Sequence, residues 1–280
     1  MLTLRDALND ASRRFAPVSE SPGLDAHVLM CEVLGVERSY LLAHPEATLT
    51  GDQAARFEAL VARHAGGEPV AYILGRRGFY DRDFLVTPDV LIPRPETELL
   101  LERALAFTRR QPTAAVADVG TGSGALAVTL AAQAPQTQVY AVDVSEKALD
   151  VARQNAALHG VADRVVFLRG DLLAPLIERQ IRLDLVMANL PYIASDEVPH
   201  LAVSRHEPTL ALDGGADGLA LIRRLLAQLP QACRPGARAL LEIGAGQSAA
   251  VQALAPDAEV YQDYAGLERM VELVVFEVGG

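Results

Sequence analysis

The chain of 280 residues has no tryptophan, only two cysteines and no long uninterrupted apolar run. Two cysteines, Cys31 and Cys233, exclude a disulfide framework and a cysteine-rich metal site. A membrane-spanning helix needs about 18 consecutive apolar residues, and no stretch of that length is present. The first residues also lack the basic and apolar regions of a secretory signal, so we expect a cytoplasmic protein.

Positive charge is scarce as well. The 25 lysines and arginines stand against 36 acidic residues, which gives a formal net charge of −11. Such a surface as a whole repels a phosphate backbone, although a local basic patch stays possible. The six histidines show no spacing typical of zinc ligands. We therefore expect no metal, no membrane partner and no direct nucleic-acid partner, and we take a monomer as the default.

What the sequence does contain is enough apolar residues, 50% of the chain, for a sizeable core. The length favours about two domains. The first 68 residues have a helical pattern, and apolar residues recur at helical spacing at Leu4, Leu8, Ala11 and Phe15. Thr50 to Gln53 forms a capping box that begins a later helix. We predict a small helical domain at residues 1–68, with no catalytic residue in it.

Residues 69–95 are rich in glycine and proline and differ from what precedes them. Short β-like runs occur at 84–87 and 90–92, which predicts a β-hairpin connector. Pro95 then begins a helix that we expect to reach about Arg110.

From residue 114 onward, strand-like and helix-like segments alternate. The apolar runs lie at 115–119, 138–142, 165–168, 184–188 and 238–243, with further strand candidates at 258–261 and 271–278. This alternation is typical of a doubly wound, Rossmann-like sheet. We predict an α/β domain at residues 96–280 with a seven-stranded, mostly parallel sheet.

A glycine-rich loop follows the first of these strands, with the sequence Gly120-Thr121-Gly122-Ser123-Gly124. Glycines let the backbone approach a ligand closely, and the N-terminus of the next helix favours a carboxylate or phosphate. Asp143 ends the second strand, where its carboxylate is placed to accept hydrogen bonds from ribose hydroxyls. The pattern predicts a nucleoside cofactor. By itself it also satisfies the dinucleotide fingerprint, so the loop alone leaves the cofactor open.

Asp171 follows the third strand, where a carboxylate can accept from the exocyclic amine of an adenine. The carboxyl ends of parallel strands meet at one edge of the sheet. We therefore expect the glycine loop, Asp143 and Asp171 to line a single crevice.

The fourth strand ends at the same edge in Asn189-Leu190-Pro191-Tyr192. This segment resembles the Asn-Pro-Pro-Tyr motif of S-adenosylmethionine-dependent methyltransferases that modify planar amide or amine nitrogens. The resemblance implies S-adenosyl-L-methionine as the cofactor, in place of a dinucleotide.

The residue types suit that chemistry. The Asn189 side-chain oxygen and the Leu190 carbonyl can accept the two hydrogens of an NH₂ group, while Tyr192 can stack on the flat group that carries it. The methyl group of a sulfonium is already electrophilic, so alignment at about 3–3.5 Å can supply much of the rate. No dedicated general base is needed, because the proton can leave after transfer.

Nearly the whole length of the chain resembles the glutamine methyltransferases that modify peptide chain release factors. The segments that carry the resemblance are Leu91 to Glu98, His206 to Gly215 and Leu241 to Gln247. It implies methylation of the side-chain nitrogen, N5, of the glutamine in a Gly-Gly-Gln loop, and docking of the factor on the helical domain.

By that resemblance, two sets of residues bind the ligands. The cofactor-binding role falls on Gly120, Thr121, Gly122, Ser123, Gly124, Asp143, Asp171, Leu172 and Asn189. The catalytic role falls on Asn189, Leu190, Pro191 and Tyr192.

Two positions depart from the family pattern. Leu190 replaces the first proline of the motif, and the resulting form, Asn-Leu-Pro-Tyr, also resembles ribosomal-RNA adenine dimethyltransferases. Leu172 stands where the family often carries tryptophan, which predicts a smaller apolar wall beside the adenine. Arg94 and Glu207 lie in family-specific segments, but the sequence assigns them no role.

Two alternative functions stay open at this point. An adenine-N6 methyltransferase acting on RNA or DNA would also bind a planar NH₂ group. The charge of −11, the helical domain before the sheet and the lack of a basic arm favour a protein substrate. A cofactor-binding scaffold without catalysis is disfavoured because Asn189, Pro191 and Tyr192 are all present.

Overall fold

A computed structural model describes residues 2–276. The chain divides into two compact units, Met1–Arg76 and Arg77–Gly280. Within the described residues, no helix combines the length and the apolar character that crossing a membrane would require.

The first unit is helical, as predicted. Its helices are α1 (Leu4–Phe15), α2 (Pro22–Leu34), α3 (Arg38–Ala43), α4 (Gly51–Ala65) and α5 (Val70–Leu74). The capping box is present: the Thr50 hydroxyl accepts from the Gln53 backbone, and the Gln53 side chain accepts from the Thr50 backbone. The unit extends beyond the predicted end at residue 68 because α5 packs on α2 and α4.

The β-hairpin connector is present, but its strands differ from those predicted. They are β1 (Arg76–Phe79) and β2 (Arg82–Leu85), and the run at 90–92 is not a strand. Three prolines, at 88, 93 and 95, remove backbone donors on both sides of that run, so it cannot form a ladder. Its apolar side chains Val90 and Ile92 are instead buried in irregular structure.

The second unit contains the predicted seven-stranded sheet. Its strands are β3 (Ala115–Val119), β4 (Gln138–Asp143), β5 (Val165–Arg169), β6 (Leu183–Ala188), β7 (Cys233–Glu242), β8 (Glu259–Gln262) and β9 (Glu268–Val274). The spatial order is β5-β4-β3-β6-β7-β9-β8. Strands β3 to β7 are parallel, whereas β9 runs antiparallel to both of its neighbours. The fold class predicted from the sequence is confirmed.

The last strand prediction, 271–278, is shifted relative to the structure. Strand β9 begins at Glu268, three residues earlier than predicted. Residues 277 and 278 lie outside the described part of the chain.

Helices cover both faces of the sheet. They are α6 (Glu98–Arg110), α7 (Ala125–Gln133), α8 (Glu146–Leu158), α9 (Ala174–Glu178), α10 (Ala220–Ala232) and α11 (Ser248–Leu254). One hydrophobic cluster joins α6, α7 and α8 to the sheet, and a second joins α9, α10 and α11 to it. Because β3 to β6 are parallel and buried between helices, their carboxyl ends open together at one edge.

Candidate active site

A cavity of about 440 Å³ lies at the carboxyl ends of β3 to β6. Most of the predicted site residues line it together: Gly120, Thr121, Gly122, Ser123, Asp143, Asp171, Leu172, Asn189, Leu190 and Pro191. Two predicted residues, Gly124 and Tyr192, are not among the lining residues. The sheet therefore gathers segments that are far apart in the sequence into one crevice.

The glycine loop requires its glycines for two different reasons. Gly120 has a φ of 74° and Gly124 a φ of 81°, both in the left-handed region that other residues avoid. A Cβ on Gly124 would also lie 3.0 Å from the Cβ of Ala152. Gly124 therefore shapes the loop at the N-cap of α7 without lining the cavity.

Asp118, which was not predicted as a site residue, holds this loop from beneath. Its carboxylate accepts from the Thr121 hydroxyl at 2.6 Å and from the Ala127 backbone N–H at 3.1 Å. Burial raises the pKa of Asp118 to about 6, and these two hydrogen bonds oppose the rise. In the sequence, the position of Asp118 in the strand that leads directly into the glycines could have marked it as a site residue.

Asp143 joins the second strand to the loop. One carboxylate oxygen accepts from the Gly122 N–H and the other from the Ser145 N–H, each at 2.9 Å. Burial raises the pKa of Asp143, and the backbone donors partly compensate. Each carboxylate oxygen can accept more than one hydrogen bond, so both can still accept from a ribose hydroxyl.

The residues after β5 form the far wall of the cavity. Asp171 forms an exposed ion pair with Arg224, which also lines the cavity. Leu172 is buried and has a φ of 51°, a left-handed conformation that is unfavourable for a leucine. Its side chain is thereby held as an apolar wall of the cavity.

Asn189 begins the segment after β6. Its side-chain nitrogen donates to the Thr97 hydroxyl at 2.9 Å, and that hydroxyl donates to the Glu242 carboxylate at 2.7 Å. Thr97 and Glu242 are almost completely buried. Neither contact was predicted, because Thr97 precedes α6 and Glu242 ends β7, and both lie far from Asn189 along the chain.

The other residues of the motif have distinct surroundings. The Leu190 side chain is buried, and a Cβ on Gly120 would lie 3.1 Å from its Cδ2. The leucine that replaces the family's proline therefore packs against the cofactor loop. The Tyr192 carbonyl accepts from the Gln247 side chain at 2.9 Å, and the Tyr192 ring lies beside Gly244.

The phenol of Tyr192 is neutral near pH 7. Burial and the neighbouring Glu242 carboxylate raise the pKa of Tyr192 to about 12. A group with that pKa is a poor general base.

Arg94 and Glu207 form an ion pair across the site. The Arg94 guanidinium donates to Glu207 Oε1 at 2.5 Å, and the Glu207 side chain is 1% exposed. Arg94 lines the cavity, whereas Glu207 lies behind it. The pair thus connects the segment before α6 to the segment that follows β6.

The donors and acceptors of the cavity fit a nucleoside cofactor that carries a carboxylate. The loop at the start of α7 offers backbone N–H groups, Asp143 can accept from ribose, and Asp171 and Leu172 can bind an adenine. With the strand order above, these features define a Rossmann-like methyltransferase.

Comparisons with known proteins agree. The model of the PrmC N-terminal domain family matches residues 6–75, and that of the methyltransferase small domain family matches residues 95–206. The release factor glutamine methyltransferase of Moorella thermoacetica is 44% identical, with 96% of this chain and 97% of that protein covered. The protein of the same name from Koribacter versatilis is 40% identical, with 96% and 98% covered.

The fold also recurs among solved structures. The 16S rRNA N2 G1207 methyltransferase of T. thermophilus superposes with a TM-score of 0.50 at 17% identity, covering 71% of this chain and 49% of that chain. At that identity the likeness concerns the fold alone. The full-length relatives are the stronger evidence: the chain belongs to the release factor glutamine methyltransferase family, and its cofactor is S-adenosyl-L-methionine.

Proposed function

We propose that this chain transfers a methyl group from S-adenosylmethionine to N5 of the glutamine in the Gly-Gly-Gln loop of a peptide chain release factor. One observation carries the proposal. Asn189, with an amide oxygen that can accept from an NH₂ group, lines the same cavity as the glycine loop and Asp143.

The cofactor side of the cavity binds and orients. Gly120 to Gly124 and the start of α7 would hold the carboxylate of the cofactor, Asp143 its ribose, and Asp171 with Leu172 its adenine. When bound there, S-adenosylmethionine supplies an electrophilic methyl group. The buried Asp118 keeps the loop in shape through its bonds to Thr121 and Ala127.

The acceptor side would position the nitrogen. An amide nitrogen is a weak nucleophile because its lone pair is delocalised into the carbonyl. Hydrogen bonds from its two hydrogens to the Asn189 side chain and the Leu190 carbonyl would orient it and increase its electron density. Pro191 keeps Leu190 extended, so that the carbonyl is held in place even though Leu190 is not a proline.

Proton removal needs no residue of high basicity. The amide proton becomes acidic once the methyl group is transferred, and it can then leave to water. Tyr192, neutral up to high pH, would act through its ring by stacking on the planar amide.

We propose further that the first unit docks the body of the release factor. Helix α3 exposes apolar side chains, with Leu42 63% exposed. Leu42→Asp should therefore weaken methylation of the whole factor and leave methylation of a short glutamine-loop peptide unchanged. Leu158→Asp, at an equally exposed leucine of the second unit, is the matched control. Equal effects on factor and peptide would contradict docking at this surface.

The test of the reaction itself uses labelled S-adenosylmethionine and purified release factor. A factor with alanine in place of the loop glutamine and naked ribosomal RNA serve as parallel acceptors. We expect label in the intact factor and none in its alanine variant. Label in RNA alone would show that the chain is an adenine methyltransferase.

We also infer that the enzyme works in the cytoplasm, where release factors act, as a monomer without direct nucleic-acid contact. Sedimentation of the purified chain, with and without the factor, tests whether it is a monomer.

A further inference from the structure

The side chain of Asn189 ends a buried hydrogen-bond chain. Its nitrogen lies 2.9 Å from Thr97 Oγ1, which lies 2.7 Å from Glu242 Oε2. Thr97 is 5% exposed and Glu242 is 2% exposed. The three residues come from the end of β6, the turn before α6 and the end of β7, so only the folded second unit brings them together.

The donor and acceptor groups determine the direction of this series of hydrogen bonds. An ionised Glu242 can only accept hydrogen bonds, and the Thr97 hydroxyl has a single hydrogen, which it gives to Glu242. Thr97 can therefore only accept from Asn189. If the Asn189 amide were reversed, its oxygen would face the Thr97 oxygen at 2.9 Å with no hydrogen between them.

The consequence concerns the reacting group. With its nitrogen held by Thr97, the Asn189 amide presents its oxygen on the opposite side. An oxygen can accept from the NH₂ group of a glutamine, whereas an amide nitrogen in the same place would repel it. The two amide orientations of Asn189 are nearly equal in shape, so packing alone does not choose between them.

We propose that Thr97 and Glu242 are positioning residues that keep the Asn189 amide oxygen turned toward the acceptor nitrogen. The inference rests on the proposed function, because it assigns the oxygen to the glutamine substrate. It adds two residues that the motif does not contain. Thr97 lines the cavity beside Asn189, whereas Glu242 is not among the lining residues.

The charge of Glu242 determines the direction of the hydrogen bonds from Asn189 through Thr97 to Glu242. Burial raises its pKa to about 7, and hydrogen bonds from Thr97 and from the Asn189 side chain oppose that rise. Glu96, Arg269 and Tyr192 are the other titratable or charged groups that act on it. Of these, Glu96 disfavours the carboxylate and Arg269 favours it, whereas the Tyr192 phenol is neutral near pH 7. A protonated Glu242 could donate to Thr97, whose hydrogen would then be free for the Asn189 oxygen.

The decisive variants keep the shape and change the hydrogen bonds. Thr97→Val removes the hydroxyl and should lower kcat by about 10- to 100-fold, since a preorganised contact at the reacting group is lost. The dissociation constant of the cofactor should change by less than about twofold. Thr97→Ser restores the hydroxyl and should recover kcat to within about threefold of the wild type.

Thr108→Val is the matched control. Thr108 is a buried threonine of α6 whose hydroxyl bonds only to the Leu105 carbonyl in the hydrogen bonds of the described residues. It should retain the wild-type kcat. A Thr97→Val enzyme with wild-type kcat, or a Thr97→Ser enzyme as slow as Thr97→Val, would overturn the proposal.

A pH profile gives a second readout. At saturating substrates, the wild-type kcat should rise as Glu242 ionises near pH 7. Glu242→Gln cannot ionise, so that part of the profile should disappear. A rise that persists in Glu242→Gln would show that another group controls it and would contradict the role of Glu242.

A third readout is independent of any acceptor. The Asn189 side-chain NH₂ group should exchange its hydrogens slowly in the wild type and in Thr97→Ser, but rapidly in Thr97→Val, as followed by nitrogen-15 NMR. Rapid exchange in all three would overturn the proposed orientation. Slow exchange that depends on Thr97, in a protein that does not methylate release factor, would uphold the orientation and refute the proposed substrate.

Discussion

The two sides of the cavity are built by different means. On the cofactor side, Asp118 holds the loop through residues three and nine positions further along the chain. On the acceptor side, Asn189 is held by Thr97, 92 positions away, and Thr97 by Glu242, 145 positions away. The glycine loop is thus held by residues of its own segment, whereas the acceptor side depends on contacts across the whole sheet.

The difference shows what each side has to achieve. Binding a cofactor requires backbone groups in a fixed loop, which glycines and one strand end can provide. Orienting an acceptor nitrogen requires one side chain in one of two similar orientations, which only neighbours with defined hydrogen-bond direction can enforce. Variants on the two sides should accordingly change different measurements.

Apart from Asn189→Ala, the largest effect is expected on the cofactor side. Asp143→Asn keeps the size of the side chain but removes the charge and places an NH₂ group against the backbone N–H of Gly122 or Ser145. Hydrogen bonds to charged groups contribute about 1.5–3 kcal/mol, so the cofactor should bind about 10- to 100-fold more weakly. Isothermal calorimetry measures this. Wild-type affinity in Asp143→Asn would show that Asp143 does not bind the ribose.

The second variant, Glu242→Gln, tests the acceptor side through the pH dependence of the free energy of unfolding. The pKa of Glu242 is raised from 4.5 to about 7 in the folded protein, so its stabilising contribution is full below about pH 4.5 and is lost as pH rises through 7. Glu242→Gln lacks this loss. The difference between the unfolding free energies of variant and wild type should therefore shift in favour of the variant by about 3 kcal/mol between acid pH and pH 8.

Urea unfolding at both pH values measures that difference. Glu178→Gln, at an exposed glutamate, is the control and should show no such change. If the difference in unfolding free energy between Glu242→Gln and wild type does not depend on pH, burial does not disfavour the ionised form of Glu242.

A third variant separates the ring of Tyr192 from its hydroxyl. Tyr192→Phe keeps the ring, and because the phenol stays neutral it should retain kcat to within about threefold. Tyr192→Ala should lower kcat by about tenfold through loss of aromatic contact, with little effect on cofactor affinity. Equal losses in both variants, measured as kcat with release factor, would assign the function to the hydroxyl.

The smallest effect is expected at the rim. Arg224 pairs with Asp171 at the surface, and exposed ion pairs contribute less than about 1 kcal/mol. Arg224→Gln should change the dissociation constant of the cofactor by less than about threefold. Arg223→Gln, which breaks the neighbouring exposed pair with Asp217, is the matched control. A much larger loss for Arg224→Gln alone would mean that Arg224 itself contacts the cofactor.

Much of the fold follows from local patterns. Apolar runs predicted the first five strands of the sheet because each strand is buried between helices and must be apolar. The fifth, β7, begins at Cys233, five residues before the predicted run. The hairpin was misplaced because its turn, at Tyr80 and Asp81, lacks the usual glycine, and Tyr80 adopts a φ of 57°. Local patterns also did not show α5, whose five residues are stabilised by α2 and α4.

The site divides in the same way. The glycine loop, Asp143, Asp171 and Asn189 were predicted, since each stands at the end of a recognisable strand. Thr97 and Glu242 lie in segments that carry the family resemblance, but their role was missed because it depends on contacts across the sheet. The left-handed conformation of Leu172 was equally hidden, since glycine is the residue expected there.

The most direct test of the central claim measures two quantities on Asn189→Ala: the dissociation constant of the cofactor and the single-turnover rate of methyl transfer to release factor. Asn9→Ala, at an exposed asparagine of α1, is the control. We predict near wild-type cofactor binding and a rate lower by about 10²–10³-fold. An unchanged rate would show that Asn189 does not bind the acceptor nitrogen and would contradict the assignment of the two sides.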